Sequence, residues 1–478
     1  MRSSIVGFRL VPVFGSILGS FLVACTAGPD YQRPITPAAG AYRAQADDGA
    51  TIAGLEWWEL FEDPVLQDLI ETGLSDNRNL RVELARIGEA RAALGIARSE
   101  KFPRVDYSVG TSFDAATTEG ADGNYVNVDV LGGLSTSWEV DLWGRIARSN
   151  EAALNELLAT EESFRAVTIA LVADIAGFYL LLRDLDARLS ISDETVRVRE
   201  DALDITQTRF DAGVISEVDV KQAEIQVTQA EATVQVIERA RAQTEHALAL
   251  LLGSPPLDIP RGLAIQDQVF PLEIPAGLPS ELLERRPDIL AAERRLAAQT
   301  ARIGVAEALK FPSLSLTGSA GVSSGDLTSM TVTTGLFNLG ANLFGPLFNA
   351  GLNQQRVEIE KARTEQLVLA YEQTILNAFR EVEDALVAVE TYGREYEIRV
   401  RAAEAAGDAL EMSRVRYEGG WTSYLEVLDI ERSLFSAQLS VAETLQLRLS
   451  AVVDLYRALG GGWSPEFMNG VVEAESGR

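Results

Sequence analysis

Two side chains set the limits on chemistry in this chain. The sequence holds one cysteine, Cys25, and one histidine, His246. Neither a disulfide framework, a Cys/His zinc site nor a nucleophilic triad with several candidate members can be built from that supply. Carboxylates are plentiful, with 70 Asp+Glu against 42 Lys+Arg and a formal charge of -28. A pair of acids suited to glycoside hydrolysis is therefore inevitable by chance. No loops able to wall a pocket separate the regular segments, so an enzyme using carboxylates is the weaker reading. The acidic balance excludes a nucleic-acid binder, which needs a basic patch to neutralise phosphates. Gly460 to Gly462 reads as a helix end, since no Lys-Ser/Thr follows to make a phosphate loop. His246 reads as structural. No metal and no cofactor are expected, and no enzymatic activity.

The elements around these residues explain more. Residues 1–24 carry Arg2 and Arg9, no acid, and an apolar stretch from Leu10 to Val23 broken by Pro12. That is the layout of a secretory signal peptide. It ends Leu22-Val23-Ala24-Cys25, which resembles the site where a bacterial lipoprotein is cleaved and its Cys diacylated. Thr26 in place of Asp after the Cys fits sorting of such lipoproteins to the outer membrane. Further on, Ala166 to Leu182 is the nearest approach to an apolar span, and Asp174 interrupts it. It reads as a packed helix, so no hydrophobic helix is expected to cross a bilayer.

Internal repetition organises the remainder. Phe102-Pro103 recurs as Phe311-Pro312, preceded by Gly95-Ile96-Ala97 and Gly304-Val305-Ala306, at an offset of 209. Arg209-Phe210-Asp211-Ala212-Gly213 answers Arg416-Tyr417-Glu418-Gly419-Gly420, and Leu252-Gly253 answers Leu459-Gly460, both at 207. Leu142-Trp143 matches Leu347-Phe348 at 205. Heptads run through both copies: Thr168, Ile175, Leu182, Leu189, Val196, Leu203 and Phe210, then Ile375, Val382, Val389, Tyr396, Ala403, Leu410 and Tyr417. A sustained seven-residue period means a long, left-handed supercoiled helix. One such helix is expected from about Ile146 to Phe210, with a return helix from beyond Gly213 to about Leu252. The second copy turns at Gly420 and returns to about Leu459. Arg241 and Arg448, at matching places in the return helices, suggest interhelical pairing.

The text between short and long helices has period two. Val105, Tyr107, Val109, Thr111 and Phe113 share one face, and Val126, Val128 and Val130 alternate with Asn127 and Asp129. Leu314 and Leu316, then Met330 to Phe344, repeat the pattern in the second copy. These are strands between two environments, with Asn127 and Asp129 turned to a wet side. Trp143 and Phe348 suit either a membrane interface or core packing. Each half thus reads helix, β-hairpin, very long helix, return helix. Four strands are too few to close a barrel, and a sheet in hydrocarbon cannot keep open edges. Three copies would supply twelve strands and twelve long helical segments. The expected fold is mainly α with a small β part: internally duplicated, long coiled α-hairpins plus two β-hairpins, trimerising into a twelve-stranded β-barrel and a twelve-helix α-barrel. A soluble sandwich or a lipid-anchored coiled-coil spacer are the competing readings.

The chain resembles the TolC-like outer membrane factor family, within it the lipoprotein (NodT-type) channels of multidrug efflux systems. The resemblance rests on Pro29-Asp30-Tyr31, on Trp57-Trp58-Glu59-Leu60-Phe61-Glu62-Asp63-Pro64, and on Arg286-Pro287-Asp288-Ile289 with Ala292-Glu293. It is strongest in Arg416-Tyr417, Gly420, Tyr424-Leu425-Glu426-Val427-Leu428-Asp429 and Glu431-Arg432-Ser433-Leu434, closing at Leu459-Gly460-Gly461-Gly462-Trp463. It implies a homotrimeric tunnel, lipid-anchored in the outer membrane and projecting into the periplasm. A periplasmic adaptor protein and an inner-membrane pump, often of the proton-driven resistance-nodulation-division type, complete the efflux assembly. The exit duct of a type I protein secretion system is the alternative. On this reading residues 1–24 are the signal peptide and 25–75 an acylated extension with an equatorial segment. Residues 76–253 form the first repeat, 254–284 an equatorial linker, 285–463 the second repeat and 464–478 a tail.

The resemblance also places sites. Cys25 would carry lipid. Gly213, Ser216, Gly420 and Ser423 would form the hairpin tips on which the adaptor docks, the two glycines ending the long helices in a left-handed conformation. Leu425, Asp429 and Arg432 align with the family's periplasmic gate, and their i, i+4, i+7 spacing puts them on one face. In a trimer Asp429 would form a three-fold ring, and contacts between Asp429 and Arg432 of neighbouring protomers would hold the entrance shut. The first copy has Val218, Gln222 and Ile225 at those places, without charge.

Overall fold

Heptad and alternating segments fold as their periods demand. A computed structural model describes residues 26–35, 60–116, 125–269, 279–324 and 334–461. The signal-peptide residues, Cys25, Trp57-Trp58, Gly462-Trp463 and the tail lie outside the described residues, as does the side chain of Asn127. In chain order the elements are α1 (Pro64–Asp76), α2 (Arg78–Ser99), β1 (Arg104–Ala116), β2 (Tyr125–Val140), α3 (Arg145–Asp211) and α4 (Glu217–Leu251). After a 3-10 turn at Ile265–Asp267 come α5 (Pro279–Arg285), α6 (Pro287–Ala308), β3 (Ser313–Ser324), β4 (Thr334–Phe344), α7 (Leu352–Glu418) and α8 (Tyr424–Ala458).

Duplication is visible in the lengths. The helices α2 and α6 have 22 residues each, α3 and α7 67 each, α4 and α8 35 each. A 67-residue helix is about 100 Å long at 1.5 Å per residue. The long helices start just after Gly144 and Gly351, both left-handed (φ 73 and 83). That junction repeats at the same offset as the tips, so the position equivalent to Trp143 is Ala350, and the Leu347-Phe348 match is displaced. The two aromatics differ accordingly. Trp143 stacks on Phe311 at 4.6 Å and donates Nε1–H to the Pro312 carbonyl at 2.8 Å, whereas Phe348 is 89 % exposed.

The chain divides into two compact units: Met1–Ile35, Ile87–Ala159 and Ala292–Tyr371 in one; Thr36–Arg86, Thr160–Ala291 and Glu372–Arg478 in the other. The first holds the strands. The two hairpins join as one antiparallel sheet in the order β1-β2-β3-β4, because β2 pairs with β3 across the repeats from Val130↔Ser324 to Val140↔Leu314. Register sorts the side chains. Opposed residues share a face, so Val105, Tyr107 and Val109 lie with Leu134, Trp138, Leu314, Leu316, Val322, Phe337, Leu339 and Leu343. The other face carries Asp106, Ser108, Asp129, Ser135, Ser137, Ser315, Thr317, Ser319, Asn338 and Asn342, with Leu131, Leu336 and Phe344 as apolar exceptions. Val105, Tyr107, Phe337, Leu339 and Leu343 are all exposed, although they belong to the apolar face.

In the same unit residues 26–35 form a strap. Ala27 donates its N–H to the Trp143 carbonyl at 2.9 Å. Gly28 (φ 86) crosses Gly304 so closely that a Cβ on Gly28 would collide with the Gly304 backbone, and one on Gly304 would meet the Ala27 carbonyl oxygen at 2.7 Å. Arg148, buried, pairs with Asp30 at 2.6 Å and Glu151 at 2.8 Å. Arg33 pairs with Glu293 at 2.6 Å. These contacts bring Pro29-Asp30-Tyr31 and Ala292-Glu293, two motifs far apart in sequence, to one place.

The second unit is helical. Leu185 and Leu189 of α3 pack on Ile237 of α4 with Leu181, Val234 and Ala240 around them. Every member of the row Ala223, Ala230, Ile237, Thr244 is buried. Arg241 lies 3.9 Å from Asp186, and Arg448 stands over the Tyr396 ring at 5.7 Å, so both matching arginines face a neighbouring helix. His246 is exposed. Helix α3 contains an eighteen-residue window apolar enough to cross a membrane by length and composition, and 56 % of it is buried inside the chain. The stretch around Ala166 to Leu182 is thus more apolar than its Asp174 suggested, and the fold uses it for packing.

Candidate gate at the hairpin tips

Both tips are built by the same backbone device. At the first, Gly213 (φ 74) donates to the Phe210 carbonyl at 2.8 Å and Val214 to the Arg209 carbonyl at 3.0 Å. At the second, Gly420 (φ 75) donates to Tyr417 at 3.0 Å and Trp421 to Arg416 at 2.9 Å. This paired-bond helix ending needs a left-handed residue, which glycine adopts without a Cβ penalty. The sequence offset between the two glycines is therefore a conformational repeat.

The return helices start differently. Ser216 accepts from Val218 N–H at 3.2 Å and Asp219 accepts from Ser216 N–H at 3.1 Å, a complete capping box. Ser423 makes no side-chain cap bond. There Glu426 is held instead by the Thr422 hydroxyl and by Arg416 at 3.4 Å. Helix α8 thus begins in a cluster that includes Arg416, where α4 begins in a capping box closed by Asp219.

Leu425, Asp429 and Arg432 lie on one exposed face of α8. Arg432 donates to Asp429 within the same chain, as an i, i+3 pair with both side chains exposed. Val218 and Ile225 at the corresponding places on α4 are exposed too. Three contacts nearby were not foreseen. Arg209 donates to the Tyr417 hydroxyl at 3.0 Å with its guanidinium 5.5 Å from that ring, and Tyr417 lies 5.3 Å from Tyr424. Arg414 pairs with Glu431 at 2.7 Å. Tyr424 is pushed up by burial, against a hydrogen bond with Thr206. Arg209 and Arg416 are repeat equivalents, which was a usable signal. Their partners, a tyrosine of the other repeat and a glutamate of the same one, could not be read from spacing.

Two α-hairpins with paired glycine tips and a four-stranded sheet with one apolar face, in a duplicated chain, agree with known proteins. A model of the outer membrane efflux protein family matches residues 69–254 and 278–461. The chain belongs to the outer membrane efflux protein family. It is 36 % identical over 474 residues to the solvent efflux pump outer membrane protein SrpC of Pseudomonas putida, covering 96 % of this chain and 99 % of that one. To the outer membrane protein OprJ of Pseudomonas aeruginosa it is 37 % identical over 469 residues, covering 95 % and 96 %. The crystal structure of the open MtrE outer membrane channel of Neisseria gonorrhoeae matches with a TM-score of 0.84 and 32 % identity, over 92 % of this chain and 98 % of that one. The protein is an outer membrane efflux channel component. Nothing observed favours the secretion duct.

Proposed function

We propose that three copies of this chain close their sheets into a twelve-stranded barrel in the outer membrane and their long hairpins into a helical tunnel below it. One observation carries this reading: the four-stranded sheet ends in β1 and β4, each paired on one side only, and its apolar face is exposed. A sheet in lipid must satisfy every edge N–H and C=O, so it must find further strands, and its own copies supply them. The Ser/Asn/Asp-rich face then lines the water-filled lumen. The channel completes a tripartite pump, with a periplasmic adaptor on the tips at Gly213, Ser216, Gly420 and Ser423 and an inner-membrane pump of the resistance-nodulation-division type behind it, and it conducts small molecules outward. Cys25 carries the lipid anchor. The Ala27 N–H bonded to the Trp143 carbonyl, just beyond β2, ties the strap that follows Cys25 to the sheet and supports this. Leu425, Asp429 and Arg432 form the periplasmic gate, Asp429 facing its copies around the axis and exchanging its Arg432 partner between protomers.

Conductance in planar bilayers tests the gate. Asp429→Ala trimers should pass more current at equal voltage than the unaltered protein. Unchanged conductance removes the gate assignment. Heat-modifiable trimer migration on a gel tests assembly, and labelled palmitate lost on Cys25→Ser tests the anchor.

A further inference from the structure

Within the helical unit a groove of about 460 Å³ separates α3 from α7 and α8. We propose that it binds a single-chain organic anion, an alkyl carboxylate of the fatty-acid type. The volume falls among those of small-molecule sites, about 300–1,000 Å³. Its walls run along two antiparallel helices, from Ser190 to Arg199 on one side and from Glu431 to Gln438 on the other. Nine rises of 1.5 Å make the first wall roughly 13 Å long. A linear ligand fits that shape. Ile191, Val198, Leu410, Leu434 and Phe435 supply apolar lining.

Four charged residues line the groove: Glu194 pairs with Arg197 at 2.8 Å, Arg414 pairs with Glu431 at 2.7 Å, and Arg199, only 4 % exposed, has no ion-pair partner among the described residues. Three arginines are buried among the described residues. Arg148 holds Asp30 and Glu151, and Arg286 holds Asp288 and Glu381. Arg199 has no such carboxylate. Its Nη1 donates to the Gln226 carbonyl at 2.7 Å, its guanidinium stands 5.2 Å from the Phe435 ring, and Nη2 has no hydrogen-bond partner. Glu431 is near enough to favour the charge, but it is bonded to Arg414 at 2.7 Å. A buried guanidinium left short of acceptors is costly. A carboxylate offers the matching fork, and a small rotation of the guanidinium presents Nη2 to it. The alkyl tail then covers the apolar wall. Gate and pump assignments play no part in this proposal.

The test uses the full trimer in nanodiscs of neutral phosphatidylcholine, titrated with dansyl-labelled undecanoate, with empty discs as the blank. Saturable fluorescence is expected, competed by dodecanoate and not by dodecanol. Arg199→Gln should weaken binding about tenfold or more, the loss of one charge-assisted contact. Leu434→Trp, which fills the groove from its apolar wall, should abolish it. Isotherms unaffected by either substitution, or equal competition by dodecanol, overturn the proposal. If Arg199→Gln fails to form heat-modifiable trimers, Leu434→Trp and the dodecanol arm on the unaltered protein decide.

Discussion

Asp63 offers the sharpest test of how the chain holds its equatorial segments together. It is 1 % exposed. Its Oδ1 accepts from Val65 N–H at 2.9 Å, and its Oδ2 accepts from the Tyr179 hydroxyl at 2.8 Å, Leu263 N–H at 2.9 Å and Gln268 Nε2 at 2.8 Å. One carboxylate thus ties the start of α1 to α3 and to both sides of the 3-10 turn. Asp63→Asn keeps the shape and removes the second acceptor. Placing the amide oxygen at Oδ2 keeps three bonds but points an N–H₂ at Val65 N–H, losing the helix cap at about 1 kcal/mol. The three remaining bonds lose their charge assistance, about 1 kcal/mol each, so local opening becomes easier by about 4 kcal/mol in all.

Hydrogen exchange at the Leu263 amide reads that number. At 1.4 kcal/mol per decade, exchange should accelerate on the order of a thousandfold in Asp63→Asn. Burial pushes the Asp63 carboxyl up, but the bonds from Gln268, Tyr179, Val65 and Leu263 outweigh it and hold it below the ordinary value. A carboxyl whose folded value is depressed contributes its full stability above its unfolded value and loses it as pH falls through the folded one. The gap between Asp63→Asn and the unaltered protein should therefore persist at neutral pH and close only below about pH 4. Protection at Leu263 that changes by less than threefold on substitution would refute the node.

Other expectations follow from the same geometry. Ser216→Ala should loosen the first turn of α4 by about 1 kcal/mol and Ser423→Ala that of α8 by only a few tenths, since only Ser216 caps with its side chain; equal effects on amide exchange would contradict the difference between the tips. Gly28→Ala adds a Cβ into the Gly304 backbone at a left-handed residue, so limited proteolysis should release residues 26–35 from otherwise intact trimers. Burial first, with Glu443 adding, pushes Asp184 up to about 6 against Arg188. A carboxyl raised in the fold favours folding in its protonated form, so Asp184→Asn should raise the trimer dissociation temperature most at pH 8, less at pH 5, and not at all below about pH 4.

Much of this architecture was legible from period alone. The offsets of 209 and 207 reappear in the bounds of α2 and α6, α3 and α7, α4 and α8, because a helix end set by Gly213 or Gly420 is a local matter of one left-handed residue. The strand region was less legible. The pairing of β2 with β3 joins residues 174 to 194 apart, and no local pattern announces it. The site was legible as a face, not as a set of contacts: spacing puts Leu425, Asp429 and Arg432 together, whereas Arg209 on Tyr417 and Arg414 on Glu431 join helices whose relative rotation only the fold fixes. The Asp63 node was invisible for the same reason, its four donors being spread from Val65 to Gln268.

The polar and apolar seams of α3 divide the labour within the helical unit. Toward α4 it presents Leu181, Leu185 and Leu189, packed on Ile237 and Val234. Toward α7 and α8 it presents Asp184, Arg199, Thr206 and Arg209, which meet Glu443, Phe435, Tyr424 and Tyr417. Close-packed apolar contacts resist separation through lost burial, at roughly 25 cal/mol per Å². Polar groups that water can satisfy give far less resistance, and several here are already short of partners: Asp184 Oδ1, Arg188 Nε and Arg199 Nη2. Separating α3 from α8 would hydrate those atoms, recovering part of the cost, whereas separating α3 from α4 would expose the leucines and also break the Arg199–Gln226 and Arg241–Asp186 contacts. Each hairpin should thus hold together as a body while the seam between hairpins yields first. Hydrogen exchange in α8 around Leu434 should accordingly respond to urea at lower concentration than exchange in α4 around Ile237, and the reverse order would show that the polar seam is the tighter of the two.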